Sequence, residues 1–340
     1  MKSTKVAIAV TGVLFGFAGT ASGQVTFTTG PGTGNFTFDG TQTGQRRGSI
    51  TAHQEGDADH TATVLQTGHG GFEVTTFQTG DDAANNIEIS QRRSNPRRSS
   101  IDVFQDGGNN SAIVDSEGAN GVADLDNVID VDQIGTGNTV DIGTTASSGQ
   151  VVTVLQDGPN NTMTLDSNIA TSTILDVTQT GGQNTADVTA RSQSVNSNGT
   201  ITQLGNSHTA TLDFLRNSEN NTASISQTDS KHTAIVSLRG SDNAATVVQD
   251  GGDDSVATVS FVGDGATSSS TTVTQTGDTN VASAINRSSN ATDIDINQVG
   301  SGITAEVSAD NSNQNVISVD QGGLAPVSYT HLTLPTILLV

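Results

Sequence analysis

The chain has 340 residues, a formal net charge of −22, no cysteine, 38 glycines and only 3% aromatic residues. The missing cysteine excludes disulfide frameworks, thiolate metal sites and thiol nucleophiles, and the acidity excludes nucleic acid and anionic lipid as partners. With hydrophobic residues at 32%, the chain escapes disorder only if those residues are placed in register rather than scattered.

Residues 1–23 read as a secretory signal peptide: Lys2 and Lys5, an apolar run from Val6 to Ala18, then Ala21, Ser22 and Gly23, with cleavage expected before Gln24. The run is too short to span a bilayer comfortably, and no other segment before the C-terminus approaches one, so no membrane span is expected. Loss of the two lysines takes the net charge from −22 to −24. Residues 24–41 are assigned to an N-terminal leader. From 42 to 132 a short-period signal runs through Gln42, Gln54, Gln66 and Gln78, spaced by 12, followed by Gln91 and Gln105, as though both strands of a repeating unit end in glutamine. The next gap stretches to 28, and EGANGVADLDNVIDV within it reads as a degenerate or expanded unit.

Residues 133–326 are regular. Gln133, Gln156, Gln179, Gln203, Gln227, Gln249, Gln275, Gln298 and Gln321 each end an aliphatic strand, at gaps of 23, 23, 24, 24, 22, 26, 23 and 23. Aliphatic residues two and four places earlier, such as Ile129 and Val131 or Leu175 and Val177, share the strand face of the glutamine. Two places later stand Gly135, Gly158, Gly181, Gly205, Gly251, Gly277 and Gly300, with Asp229 the exception, as a tight turn requires. Five places later come Asn138, Asn161, Asn184, His208, His232, Asp254, Asn280 and Ile303. The position seven places later is small or apolar, as in Val140, Ala186 and Ala282. Pro31, Pro96 and Pro159 fall in turns or the leader, where a missing N–H harms no ladder. Residues 327–340 differ from everything before them. Val327–Thr336 resembles the translation of a transposon-end adaptor used in sequencing libraries, so this segment is read as a non-native tail.

The expected fold is therefore all-β: a β-solenoid of strand-turn-strand rungs of about 23 residues, stacked as in amyloid-like cross-β. A lone rung cannot bury its apolar face. Stacking at about 4.8 Å also answers why glutamine points inward, because each amide then donates to one neighbouring copy and accepts from the other. An unpaired buried amide would cost about 1–3 kcal/mol. The asparagines are expected to form a second ladder.

The pattern Q-x-G-x-x-N-x-A, as in Gln179-Gly181-Asn184-Ala186 and Gln275-Gly277-Asn280-Ala282, resembles the repeat of curlins, the subunits of bacterial curli fibres. The resemblance covers residues 42–323. It implies export through the periplasm and a curli-type outer-membrane secretion pore, then templated self-assembly with a nucleator or major subunit into extracellular or cell-surface fibres of biofilm matrix, which serve in adhesion. It implies no cofactor. Two departures stand out. The second glutamine of the family, eleven places after the first, is replaced by Ala190, Phe214 and Asn286, and the serine six places before the first is replaced by Thr173, Asn243, Thr292 and Asn315.

Other constellations carry less. His208 and His232 occupy one slot in successive rungs, as a metal or pH-sensing pair or as replacements for asparagine in its ladder; His53, His60 and His69 read as solvent-facing. Arg92, Arg93, Arg97 and Arg98, like Arg46 and Arg47, read as exposed charge that discourages premature strand addition, with docking to export machinery as the alternative. The aspartate-rich turns at 249–254 and 262–265 lack the spacing of calcium-binding solenoids. No catalytic constellation converges, so the chain is read as a non-enzyme. The rival reading is a monomeric extracellular solenoid adhesin or ice-binding protein, suggested by outward threonines such as Thr153, Thr178, Thr272 and Thr274.

Overall fold

A computed structural model describes residues 11–12, 24–43, 47–68, 71–81, 83–94, 99–116, 127–145, 149–167, 170–171, 173–190, 194–195, 197–213, 220–239, 242–260, 267–286, 290–309 and 313–323. Every regular element among them is a β-strand. They group into two compact units, residues 1–172 with 176–182 and residues 173–175 with 183–340.

In the first unit one sheet runs through Gln24–Thr29, Arg47–Gln54, Gly71–Thr79, Ser99–Gly108, Asn127–Thr136 and Val151–Asp157. The other runs through Thr37–Thr43, Thr61–Gly68, Asn86–Ser94, Ser111–Val114, Thr139–Asp141 and Thr162–Thr164. Consecutive strands alternate between the sheets, and neighbours within a sheet are parallel. A parallel pair needs a long crossover; here the other sheet's strand supplies it. The second unit repeats the plan, with Asn198–Asn206, Thr222–Ser230, Asn243–Asp250, Thr267–Thr276, Asn290–Gly300 and Asn313–Gly323 in one sheet. Thr185–Asp187, Thr209–Thr211, Thr233–Ile235, Val256–Ser260, Val281–Asn286 and Thr304–Ala309 form its other sheet. Each unit is a β-solenoid.

Strict alternation decides which residues face inward. Ile50, Val74, Ile101, Ile129 and Val152 lie in register as one buried column of the first unit. Ile201, Ile225, Val247, Val273, Ile296 and Val319 do the same in the second. Full burial of such side chains is worth about 1.5–3 kcal/mol each. A one-residue slip would turn the whole column outward.

Three stretches with irregular spacing join the stack as follows. Within residues 24–43, Gln24–Thr29 pairs with Ser49–Gln54, and Thr37–Thr43 with Thr61–Thr67. Gln42, Gln66 and Gln91 fall in one sheet while Gln54, Gln78 and Gln105 fall in the other, so the spacing of 12 is two strands of one longer rung. Across the 28-residue gap the register from Ser99–Gly108 to Asn127–Thr136 is unbroken, with Gln105 beside Gln133. The signal-peptide segment, apart from Thr11–Gly12 paired with Thr37–Phe38, and the tail 327–340 lie outside the described residues, as do His69, Pro96, Arg46, Arg97 and Arg98.

The turn glycines stack as well. Gly158 has φ of 122°, and a Cβ there would strike the carbonyl of Gly181 in the next rung, so both conformation and clearance demand glycine. Asp229, at φ of 81°, stands in the glycine place of its own rung. Gly158→Ala is expected to lower stability by about 2 kcal/mol or more. Gly251→Ala, at φ of 74° with only the Gly277 nitrogen 3.8 Å from an added Cβ, should cost about 1 kcal/mol. Urea denaturation of the two variants side by side checks the difference.

Candidate functional site: the buried amide ladders

The inward glutamines sit at the ends of strands held in register by the aliphatic columns beside them. In the first unit Nε2 of Gln54 donates to Oε1 of Gln78, and the relay continues from Gln78 to Gln105 at 3.0 Å, to Gln133 at 2.7 Å, to Gln156 at 2.9 Å and to Gln179 at 2.8 Å. In the second unit it runs from Gln203 to Gln227 at 2.9 Å, to Gln249 at 2.8 Å, to Gln275 and Gln298 at 2.9 Å each, and to Gln321 at 3.1 Å. Every bond points the same way along the chain.

A primary amide has two N–H donors, and the second is used too. Nε2 of Gln133 donates to the carbonyl of Ser111, that of Gln156 to Thr139 and that of Gln179 to Thr162, each 3.1 Å away. Gln203, Gln227, Gln249, Gln275 and Gln298 reach Thr185, Thr209, Thr233, Val256 and Val281 in the same manner. The acceptors open strands of the opposite sheet. Each glutamine thus ties its rung to the next and one sheet to the other.

The asparagines bridge successive rungs through backbone groups of the turns. Oδ1 of Asn110 accepts the N–H of Asn138, and Oδ1 of Asn138 accepts that of Asn161. Nδ2 of Asn161 donates to the carbonyl of Gly181, that of Asn184 to Gly205 and that of Asn280 to Gly300. The amide therefore holds the glycine turn of the following rung in place. His208 and His232 are in this slot, fully buried. Two histidine and aspartate assignments change. His60 is buried in the same slot of the first unit and accepts the N–H of Asn85 on Nδ1, so it is not solvent-facing. Asp254 is exposed at φ of 61°, and Ser255, one place later, takes the slot, its Oγ accepting the N–H of Asn280, because that turn is one residue longer.

A third buried polar column fills the place of the curlin repeat's serine, whose replacements Thr173 and Asn243 the sequence displays without revealing that they are buried. It lies six places before the glutamines: Ser99, Asn127 and Gln150 in the first unit, then Thr173, Ser197, Asn221, Asn243 and Ser269 in the second. Oδ1 of Asn127 accepts the N–H of Gln150, and Oγ of Ser197 donates to Asn221. The legible signal was that this place stays polar, whichever residue fills it. The opposite sheet changes its composition along the chain. Gln66 and Gln91 are buried there, and the buried residues just past the shorter strands of later rungs are Ser116, Thr144 and Ser167, and in the second unit Ala190 and Leu238. Both amide atoms of Gln91 lack a hydrogen-bond partner among the described residues, at the point where glutamine gives way to serine.

On the outer face, Asp102 and Asp130 are in-register neighbours. Burial, then repulsion from Asp132 and Asp102, holds the carboxyl of Asp130 above the usual range, and burial raises Asp132. Among the described residues no group of three His, Asp or Glu side chains converges as a metal site, and no helix is long and apolar enough to cross a membrane. Asp253 of the 249–254 turn pairs with Lys231 at 3.7 Å.

Parallel solenoid units with internal, one-directional amide ladders define a repeat protein built by stacking rungs. Residues 219–251 match the family model of the Curlin associated repeat, which supports a curlin-repeat assignment. No curated protein matches the chain.

Gln156→Leu strands a donor on Gln133 and an acceptor on Gln179, and should cost about 2–5 kcal/mol. Thr153→Val, outward on the same strand, should stay within about 0.5 kcal/mol; denaturant midpoints compare the two. Asp130→Asn should raise the midpoint at pH 7. A carboxyl whose folded pKa is raised destabilises above that pKa and is relieved as pH falls, so the gain should vanish toward pH 4, which a pH series of the same melts reads.

Proposed function

We propose that the chain is a secreted structural subunit of an extracellular curli-like functional amyloid fibre, exported by way of the periplasm and a curli-type outer-membrane pore. Copies add to one another by extending the glutamine columns and the backbone slots beside them. The observation that carries this reading is the relay itself: a one-directional column of buried amides is extended by any further rung that sets an inward glutamine in register, and Asn313–Gly323, which carries Gln321, is the last strand of its sheet among the described residues. At the other end Gln54, first in its ladder, is covered by Gln24–Thr29, whose Thr29 stands in register with it, and its Oε1 has no hydrogen-bond partner among the described residues. The curlin-repeat match and the solenoid architecture support the same conclusion. The acidic net charge of −22 keeps an edge-exposing chain apart until it is templated. Biofilm matrix and adhesion are the roles such a fibre would serve.

The ice-binding alternative draws, beside Thr153, Thr178, Thr272 and Thr274, on short threonine columns within each unit: Thr139 with Thr162 in the first, and Thr185 with Thr209 and Thr233 in the second. The column beside them is broken by Asp141 and Asp187, which leaves no regular threonine array.

Incubated at neutral pH, the exported chain should develop thioflavin T fluorescence after a lag, form filaments, and give a meridional reflection near 4.8 Å. Persistent monomer with thermal hysteresis in a freezing assay would replace this reading with the ice-binding one. Persistent monomer without it would leave an adhesin.

A further inference from the structure

We propose that the buried histidine pair His208 and His232 is an acid-sensitive joint in the second unit, because each ring uses Nδ1 as the acceptor that the slot's asparagines supply through Oδ1. Nδ1 of His208 accepts the backbone N–H of His232 at 3.3 Å, and Nδ1 of His232 accepts that of Ser255 at 3.2 Å. The rung before does the same with an amide, Oδ1 of Asn184 accepting the N–H of His208 at 3.0 Å. With Nδ1 bare, the proton of each neutral ring is on Nε2, and His208 Nε2 lies 3.3 Å from the carbonyl of Leu204. The rings are fully buried and stacked, with centroids 5.3 Å apart and planes 17° from parallel.

Asparagine and histidine are equivalent here at neutral pH and unlike in acid. An amide oxygen keeps its lone pairs at any physiological pH. A protonated imidazole has N–H at both nitrogens, so Nδ1 would point a hydrogen at the backbone N–H it must accept. Two stacked rings would also bring two positive charges within about 5 Å of one another in a buried site. Among the groups facing the pair, the carboxylates of Asp229, Asp253 and Asp254 favour the charged form, while Lys231 is paired to Asp253. Burial outweighs them and holds both rings below the ordinary histidine value; for His208 the charge of His232 adds to the effect.

The sign follows. The unfolded chain takes up protons first, as pH drops below about 6.5. The stability that the neutral rings contribute is complete above that pH and is lost as pH falls toward the lowered folded value. His60, whose Nδ1 accepts the N–H of Asn85 at 3.2 Å, is a single copy of the same joint in the first unit, facing Asp59 and Asp81. The raised carboxyls of Asp130 and Asp132 respond in the opposite sense and cannot imitate the effect. None of this depends on whether the chain forms fibres.

The test is amide hydrogen exchange of the full chain across residues 205–236 between pH 7.5 and 5.0, corrected for the intrinsic rate, beside the double variant H208N/H232N, which restores the slot's own residue. The opening equilibrium of the natural chain should rise by about tenfold for each unit of pKa depression, while the double variant stays level. An equal rise in both, or no rise in the natural chain, overturns the proposal. Should the variant not fold, a nitrogen-15 titration of the natural rings decides. Rings that stay neutral with the proton on Nε2 well below pH 6.5 support the joint, and rings that titrate at the ordinary value overturn it.

Discussion

A primary amide facing inward tolerates one kind of neighbour above and below it: another amide at the same height and orientation. That constraint organises both units. It requires parallel strands, because antiparallel neighbours would not bring like residues together along a column. It requires that each circuit of the chain return the glutamine to the same lateral place. The spacings 24, 27, 28, 23 and 23 between successive glutamines of the first unit differ, yet the bonds persist, so the variation is absorbed in the connections between strands.

Energy and specification come from different residues. The aliphatic columns supply most of the drive, and any register that overlays apolar residues would satisfy them about equally. The glutamines remove that freedom, because a slipped rung leaves two donors and an acceptor buried without partners. The asparagine slot adds a local constraint by clamping the glycine turn of the next rung through its backbone. A column of amides also resists piecemeal replacement, since exchanging one member strands its neighbours. On the side of the opposite sheet in the first unit the glutamines end at Gln91, after which Ser116, Thr144 and Ser167 follow just past the strands, and both amide atoms of Gln91 lack a partner among the described residues.

The outer faces obey looser rules. Stacking brings like charges together, as at Asp102 and Asp130, and their repulsion is tolerated because water screens much of it. Threonine suits these positions through its preference for pleated, half-buried surfaces, which accounts for the outward threonine columns without a ligand. Aromatic side chains stack there too, Phe77 on Phe104 with ring centroids 5.3 Å apart, another product of in-register repetition.

The residues alone determined a great deal here, because a repeat reports its own geometry. The recurrence of Gln133, Gln156 and Gln179 behind alternating aliphatics specifies strands, an inward amide and a stack, since no isolated strand could hold that amide. The turn glycines were legible for the same reason. What only the tertiary structure decided lies where spacing varies or where one place accepts several residue types. Gln24–Thr29 lacks the glutamine yet pairs in register with Ser49–Gln54. His60 and Ser255 enter the asparagine slot at offsets that differ from the regular five. The polar column six places ahead of the glutamines is filled by serine, threonine, asparagine or glutamine, so identity gives no signal while burial does. Periodicity carries information about positions that repeat; which side chain meets which backbone group at an irregular turn depends on the path of the chain in three dimensions.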